Sequence, residues 1–512
     1  MTAMPDSINL LFVVLDTTRR DRLSLYGHRR NTSPALDEFA SQAAVYDRAL
    51  APAQWTVPSH ASMFTGAYPS THNLTEADRL LPEHFPTAAE ILRGAGYQTA
   101  GFCNNPLVGV LNHQLTRGFD SFYNYAGAAI NRPFDRVYPA PVDAALRGWR
   151  NFARGVGNQF AQKEWMFRIA LHPAFTPLWT RLVNYKGSSA NSISDLIGYM
   201  QQHRAGGQPR PLFAFLNLMG THLPYRPPLD VLKSLAPDLD KRSFQFVAAF
   251  NADAARWASP VEEPLQDWQA DALEAFYDAE LRAQDEHLGR LFAYLKSSGA
   301  LQDTAVVIAA DHGEGHGDHG FFGHSFVVNH ELTHVPLIVH LPDGFRRGQR
   351  IDTPVSTRRI FHTLLDAAGI SPEVQPTGAP DELSLTQIEA EGGVAFSEAF
   401  PPQTFLSVLR YRAPALIDKL RLTQVRRAVL NADLKLTTLG DAPEALYHVA
   451  NDPREERDIS GQHPQAVSAL MSQMTDFVQD AESLRADVTA LAERADLTPE
   501  IMENLRALGY IE

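Results

Sequence analysis

The sequence predicts an α/β fold, and three observations carry that prediction. Apolar runs of strand length occur at Ile8–Leu15, Leu212–Leu218 and Thr304–Ala310, without the alternation of a half-exposed strand, as expected where both faces of a sheet are covered. Between the second and third runs lies a long segment of helical period, Gln266–Ser298, with Glu and Asp on one face and Leu and Phe on the other. The loops that follow the runs carry Asp16, His222 and Asp311–His312. In open α/β sheets, ligands gather at the carboxyl ends of the strands.

Composition narrows the class. The chain has 512 residues, 44% of them hydrophobic, enough for two to four units or for one large α/β domain with a small one. The net charge of −14, from 45 Lys+Arg against 59 Asp+Glu, argues against a nucleic-acid binder. The single cysteine, Cys103, excludes an internal disulfide framework and fits a reducing compartment. Ile8–Leu15 is short, follows no basic region and runs straight into Asp16, so it reads as a strand and not as a signal peptide. No run reaches about eighteen apolar residues, so no membrane span or membrane partner is expected, and the cytoplasm is the expected location.

The elements follow in order. After the first strand, Asp16 is placed either to hold a cation or to cap the next segment. Ser33–Ala51 reads as a helix and a strand, with Ser33 as N-cap and Pro34 at the first helical position. The segment A-Q-W-T-V-P-S-H-A-S-M-F-T-G at 53–66 then opens a helix at Pro58, carries it through His60–Phe64 and ends it at Gly66. Thr56 would lie just before that helix, where free amides and the helix dipole favour an anion. It is either a cap or a nucleophile. Pro86–Ala95 reads as a helix and Tyr97–Asn104 as a strand closing at Asn104–Asn105–Pro106, where turn chemistry alone would explain the asparagines. Trp149, Phe152, Trp165, Phe167 and Trp179 mark helices over one face of the sheet, or a substrate lid.

Two segments concentrate chemistry near the third strand. His222 follows the Leu212–Leu218 run in a Pro-rich loop. After Thr304–Ala310 comes D-H-G-E-G-H-G-D-H-G-F-F-G-H, and seven of the 19 histidines lie between His312 and His340. Val335–Leu341 is a further strand. Asp16, Asp311 and His312 supply two carboxylates and an imidazole, a set that suits Zn, Mn or Mg better than an all-oxygen calcium cage. Such an ion could bind the Thr56 oxygen and lower its pKa, with Asn104, His222 and His324 around the transferred group.

The chain resembles the sulfatase branch of the alkaline phosphatase superfamily. The matching segments include N-L-L-F-V-V-L-D at 9–16, T-V-P-S-H-A-S-M-F-T-G at 56–66, G-Y-Q-T-A at 96–100, R-G-F-D at 117–120, H-L-P-Y at 222–225, A-D-H-G-E at 310–314, E-L-T-H-V-P-L-I at 331–338 and L-Y-H-V-A-N-D-P-R-E at 446–455. They run in family order along nearly the whole chain. The resemblance implies an α/β/α sandwich around a mixed sheet over residues 1–393, and a smaller α+β subdomain with a short antiparallel sheet over 394–480. A helical tail would occupy 481–512. It also implies a divalent metal, Zn or Mn ahead of Mg or Ca, as one or two ions. The metal residues would be Asp16, Asp311, His312 and Thr56, with catalytic Thr56, His222 and His324 and substrate-binding Asn104 and His60.

The departures from the family pattern bear on the chemistry. Sulfatases carry Cys or Ser, matured to formylglycine, where this chain has Thr56, and Arg where it has His60. Threonine cannot form that aldehyde, because its β-carbon bears a methyl group. Thr17 replaces a second Asp, His312 an Asn, and Asn104 and His324 two lysines. Thr17 and His312 lower the carboxylate and oxygen count and favour a transition metal over calcium. Losing two lysines lowers the positive charge around the transferred group, which points to an anion of lower charge, such as a diester, or to a second metal. Thr56 favours a small-molecule phosphodiester, phosphomonoester or phosphonate monoester that it attacks directly. The alternatives are a sulfate-ester hydrolase, a phospho-transferase, or a non-catalytic binding protein on the same scaffold. A homo-oligomer is compatible with the sequence.

Overall fold

The computed structural model describes residues 8–127, 130–133, 185–206, 210–371 and 377–496, with scattered residues between 148 and 180. The main sheet contains β1 (Asn9–Leu15), β2 (Ala44–Leu50), β3 (Gln98–Cys103), β4 (Ser121–Asn124), β5 (Leu212–Leu218) and β6 (Thr304–Ala309). A short hairpin, β7 (Gly315–His316) and β8 (Phe322–Gly323), follows β6, and the main sheet resumes with β9 (His334–His340), β10 (Arg350–Ile351) and β11 (Val355–Ser356). Its order is β10-β2-β9-β6-β1-β5-β3-β4, with β11 also on β2. β1 runs parallel to β5 and β6, whereas β9 is antiparallel to β6 and β2, so the sheet is mixed.

The unbroken hydrophobicity of β1 has a direct cause. Leu10, Phe12 and Val14 enter one core with Val57, Ala61 and Phe64 of the helix Thr56–Thr65 and with Leu364 of Ile360–Ala367. Leu11, Val13 and Leu15 enter the opposite core with Ile193 and Leu196 of Ser189–Ala205 and Leu288 and Leu291 of Asp267–Ser297. Helices cover both faces, so both sets of side chains are apolar.

Two helix starts differ from the sequence reading. Pro34 is at the first position of Pro34–Ala40, but the Ser33 hydroxyl donates to Asp37 Oδ1 (3.0 Å) and makes no cap bond. The amides of Ala35 and Leu36 donate instead to Asp285 of the long helix, at 2.8 and 3.0 Å. The cap is supplied by a neighbouring element, which local sequence does not reveal. The helix expected from Pro86 begins at Ala88, because Thr87 and Glu90 form a reciprocal capping box.

The second sheet is antiparallel, in the order β12 (Val394–Ala399), β13 (Arg426–Asn431), β14 (Leu434–Leu439) and β15 (Ala442–His448). Val429, Leu436 and Leu446 pack on Leu470 and Met474 of the helix Pro464–Asp496. That helix runs unbroken across residue 481, where the sequence reading starts a separate tail. It has no Gly or Pro after Pro464 to stop it. Residues 497–512 lie outside the described residues, as do Phe152, Trp165, Phe167 and Trp179 of the expected aromatic cover. Among the described residues, no helix is long and apolar enough to cross a membrane.

Candidate active site

Thr56 is the first residue of the helix Thr56–Thr65, after an extended Trp55. The helix therefore starts two residues earlier than the Pro58 start read from sequence. The first four amides of a helix have no partner within it, so a proline at the third position costs no hydrogen bond. Gly66 closes the helix at φ 72°, and a Cβ there would lie 2.6 Å from His362 Cε1. Backbone conformation and crowding both demand glycine at this end.

Asp16, just after β1, and Asp311, just after β6, meet on the same sheet edge. With His312 they form a fully buried group whose ligand atoms all lie within 4.8 Å of one another. Asp16 Oδ2 accepts from Asn105 Nδ2 (2.5 Å) and Asn217 Nδ2 (3.3 Å), and among the described residues Oδ1 has no hydrogen-bond partner. Asp311 Oδ1 accepts from the amides of Thr17 (3.2 Å) and His312 (2.9 Å), and among the described residues Oδ2 likewise has no hydrogen-bond partner. His312 Nδ1 is committed to Gly313 O (2.8 Å), so Nε2 is left for the centre, 3.2 Å from Thr56 Oγ1. Two orphaned carboxylate oxygens, one imidazole nitrogen and one hydroxyl form a donor set that fits a divalent cation.

Burial and the neighbouring Asp311 push the Asp16 carboxyl up to about 8, and burial pushes Asp311 up to about 7. Burial also holds His312 down at about 4, so it is a neutral ligand at pH 7. The raised carboxyls give a prediction for metal-stripped protein. The folded state keeps protons on them that the unfolded chain releases near pH 4, so the contribution of these two carboxyls to stability falls as pH rises from about 4 to about 8. A cation needs both carboxylates ionised, so the gain in Tm on adding saturating Mn to chelator-treated protein should be larger at pH 8 than at pH 5. An equal gain at both pH values would refute it.

The structure lines up three histidines beside this centre. The His312 and His324 rings are 4.4 Å apart, and those of His324 and His222 are 5.2 Å apart. Each commits Nδ1 to a protein oxygen, and for His222 this is Leu223 O at 2.7 Å. Tyr185 continues the row, with its ring 5.8 Å from His222. Asn104, just after β3, is fully buried, and neither side-chain polar atom has a hydrogen-bond partner among the described residues. Its backbone amide donates to Asn217 O at 3.1 Å.

His60 is corrected. Its Nδ1 donates to Thr56 O (2.9 Å), its Nε2 faces Asn217 Nδ2 (3.3 Å), and its ring packs edge-on against Phe64 and Phe215. Both nitrogens face protein groups, so His60 supports the helix start and Asn217. Sequence reasoning also gives no site role to Asn105, Asn217, Thr17 or Glu314. Asn217 had a signal, since it is the one polar residue in L-F-A-F-L-N-L. Thr17 replaces a carboxylate in the family pattern but supplies an amide. It sits at φ 56°, rare for a β-branched residue, with its hydroxyl turned to Asp16 O (2.7 Å) and its carbonyl held by Tyr277 Oη (2.7 Å).

A second acidic and histidine cluster has a different character. His319, Glu331 and Glu455 come together, but the buried Lys435 Nζ lies 2.6 Å from Glu455 Oε1. The lysine already supplies the cation, and the group ties the second sheet to the H-E-L-T-H segment at 330–334.

With the geometry in place, comparison with known proteins gives a consistent result. The sequence matches the family model described as Sulfatase over residues 8–370. An uncharacterized sulfatase, YidJ, of Escherichia coli strain K12 is 23% identical over 382 residues, covering 72% of this chain and 69% of that protein. The phosphonate monoester hydrolase of Agrobacterium radiobacter superposes with a TM-score of 0.62 at 20% identity, covering 94% of this chain and 96% of that one. A 2-O GAG sulfatase superposes with a TM-score of 0.61 at 17% identity, covering 93% of each chain.

Proposed function

The chain belongs to the sulfatase family and is a metal-dependent hydrolase of the alkaline phosphatase/sulfatase superfamily; from that premise we propose that it hydrolyses phosphoesters or phosphonate monoesters through a covalent intermediate on Thr56. The observation that carries this reading is the position of Thr56 Oγ1, 3.2 Å from His312 Nε2 in the first turn of a helix. A bound Zn or Mn ion, held by Asp16, Asp311 and His312, would supply positive charge at the Thr56 oxygen and lower its pKa.

The chain's own residues do the rest. With its proton lost to solvent, Thr56 Oγ1 attacks phosphorus as the bond to the leaving-group oxygen breaks. Asn104, His222 and His324 contact the transferred group, and one of the histidines gives a proton to the leaving oxygen. Water then attacks the phosphorus on Thr56, returning a proton to that histidine and releasing product from the Thr56 oxygen, which is ready to attack again. Among the described residues no Lys or Arg hydrogen-bonds to these groups, which suits a singly charged ester. Either histidine changed to Ala should lower kcat by about 10²-fold or more while Tm moves little. Equal losses of fold and activity would refute that assignment.

A second reading, sulfate-ester hydrolysis by the unmodified threonine, is favoured by the names of the sequence relatives and by the same single charge on its substrate. Stripped enzyme reloaded with Mn or Zn and given an aryl phosphate monoester, a diester, a phosphonate monoester and a sulfate ester separates the two. Sulfate turnover ahead of all three phosphorus esters would overturn the first.

A further inference from the structure

The strap formed by residues 185–187 touches the site at two places and has no part in the chemistry above. The Tyr185 ring lies 5.8 Å from that of His222, and its side chain is half-buried. Gly187, at φ 65°, lays its backbone against Asn104, where a Cβ would lie 3.1 Å from Asn104 Cγ and 3.0 Å from Tyr125 O. We propose that this strap forms a subsite for the organic substituent that stays on phosphorus, with the Tyr185 ring as its specificity-determining wall. The substrates are then phosphonate monoesters or diesters that carry an aromatic or other ring at that place, ahead of phosphomonoesters. This rests on the phosphoester reading and deepens it.

The strap is held at both ends. Lys186 Nζ donates to Glu280 Oε1 (2.8 Å) and to Pro224 O (3.1 Å), and the same Glu280 oxygen accepts the Arg226 amide (2.6 Å). These bonds tie the strap to the loop that carries His222. On the other side Ser188 caps the helix Ser189–Ala205, its hydroxyl accepting from the Asn191 amide (3.3 Å). A wall fixed in this way needs no reordering when substrate arrives. Its two neighbours, His222 and Asn104, are both assigned to the transferred group, so the strap flanks that group and the substituent that phosphorus keeps. The chemistry of the wall favours a ring there. The charge of Lys186 is matched by Glu280, and Tyr185 presents an uncharged surface. Burial, and after it the Asp16 and Glu314 carboxylates, push the Tyr185 phenol up, so it stays neutral beside the centre. A phosphomonoester would set a second anionic oxygen against this wall, where the strap offers no unmatched cation. A ring instead packs on Tyr185 and takes its apolar surface out of water.

Two measurements test this on the full chain loaded with Mn. The first compares p-nitrophenyl phenylphosphonate with p-nitrophenyl methylphosphonate, which share a leaving group and differ only in the substituent on phosphorus. Tyr185→Ala should lower the phenyl-to-methyl ratio of kcat/KM by about tenfold, chiefly through KM. Taking the ratio cancels the intrinsic reactivity of each ester and any general damage to the centre. Tyr185→Phe keeps the ring and should keep the wild-type ratio. An equal loss with both esters would make Tyr185 merely structural, and a ratio lost in Tyr185→Phe as well would assign the effect to the hydroxyl. Either result overturns the proposal, as does wild-type enzyme that prefers p-nitrophenyl phosphate to the phenylphosphonate ester.

The second measurement needs no turnover. Calorimetric titration with phenylphosphonate and methylphosphonate reads the same subsite from the product side. Wild-type protein should bind phenylphosphonate about tenfold more tightly, and Tyr185→Ala should bind the two about equally. Wild-type protein without that preference overturns the subsite whether or not the variant folds. If wild-type enzyme turns over no phosphorus ester, the phosphoester reading falls and the titration alone decides the subsite: a preference that Tyr185→Ala removes upholds it.

Discussion

Thr56→Ala is expected to lose turnover by about 10⁴-fold or more, leaving the fold intact and the metal bound less tightly. The side chain is fully enclosed, 1% exposed, and its hydroxyl faces His312 Nε2 at 3.2 Å, so removing it takes away one donor of the centre and the attacking atom together. The helix start does not depend on it, because Trp55 is the N-cap and makes no side-chain cap bond. The variant therefore separates chemistry from folding, and its Tm at saturating metal should move little. Thr56→Ser keeps the oxygen and loses a methyl group, so it should keep part of the rate, reduced because the smaller side chain is less confined. The direct observation is a covalent adduct. Acid quench during turnover of a slow phosphonate ester, followed by peptide mass spectrometry, should find the phosphonyl group on the peptide containing Thr56. An Ala variant with full activity, or an adduct on another residue, would replace this mechanism with attack by water.

The legible part of this molecule is the part where chemistry and local pattern coincide. Asp16, Asp311 and His312 each follow a buried strand, and strands read well when helices cover both faces, because nothing interrupts the hydrophobic run. Their convergence follows from strand order: β1 and β6 are parallel neighbours, so residues after their carboxyl ends meet. What stayed hidden depends on partners distant in sequence. Asn217 reads as an oddity in a strand until it is seen donating to Asp16, 201 residues away. His60 stands at a position where the family pattern suggests substrate contact, yet its two nitrogens are taken by Thr56 O and Asn217. The cap of Pro34–Ala40 comes from Asp285 across the core, and no local rule could replace Ser33 with it. Glu314 stands in the A-D-H-G-E segment, but its partner, His324, is set by a bond that only the folded loop makes.

Asp311→Asn is expected to abolish metal binding and lower kcat/KM by more than the roughly 10–100-fold that losing an outer-shell partner costs. Asparagine keeps the volume and the Oδ1 acceptor for the amides of Thr17 and His312, so the loop should hold its shape. What it removes is the charge on Oδ2, the atom left without a hydrogen-bond partner beside His312 Nε2 (3.3 Å) and His60 Nδ1 (3.5 Å). Without metal, that charge is a burden, since burial already holds the Asp311 carboxyl at about 7 and Asp16 at about 8. A neutral amide there spares the folded state one buried carboxylate and relieves Asp16 of its nearest like charge. The two effects have opposite signs and are separable. Metal-stripped Asp311→Asn should melt at or above the temperature of stripped wild-type protein at pH 8, while metal-loaded wild-type protein should melt above both. Metal content by mass spectrometry and paired melts with and without Mn check both arms. A variant that binds metal with wild-type stoichiometry would remove Asp311 from the ligand set. A stripped variant less stable than stripped wild-type protein at pH 8 would mean that the Asp311 charge serves the fold and not the ion.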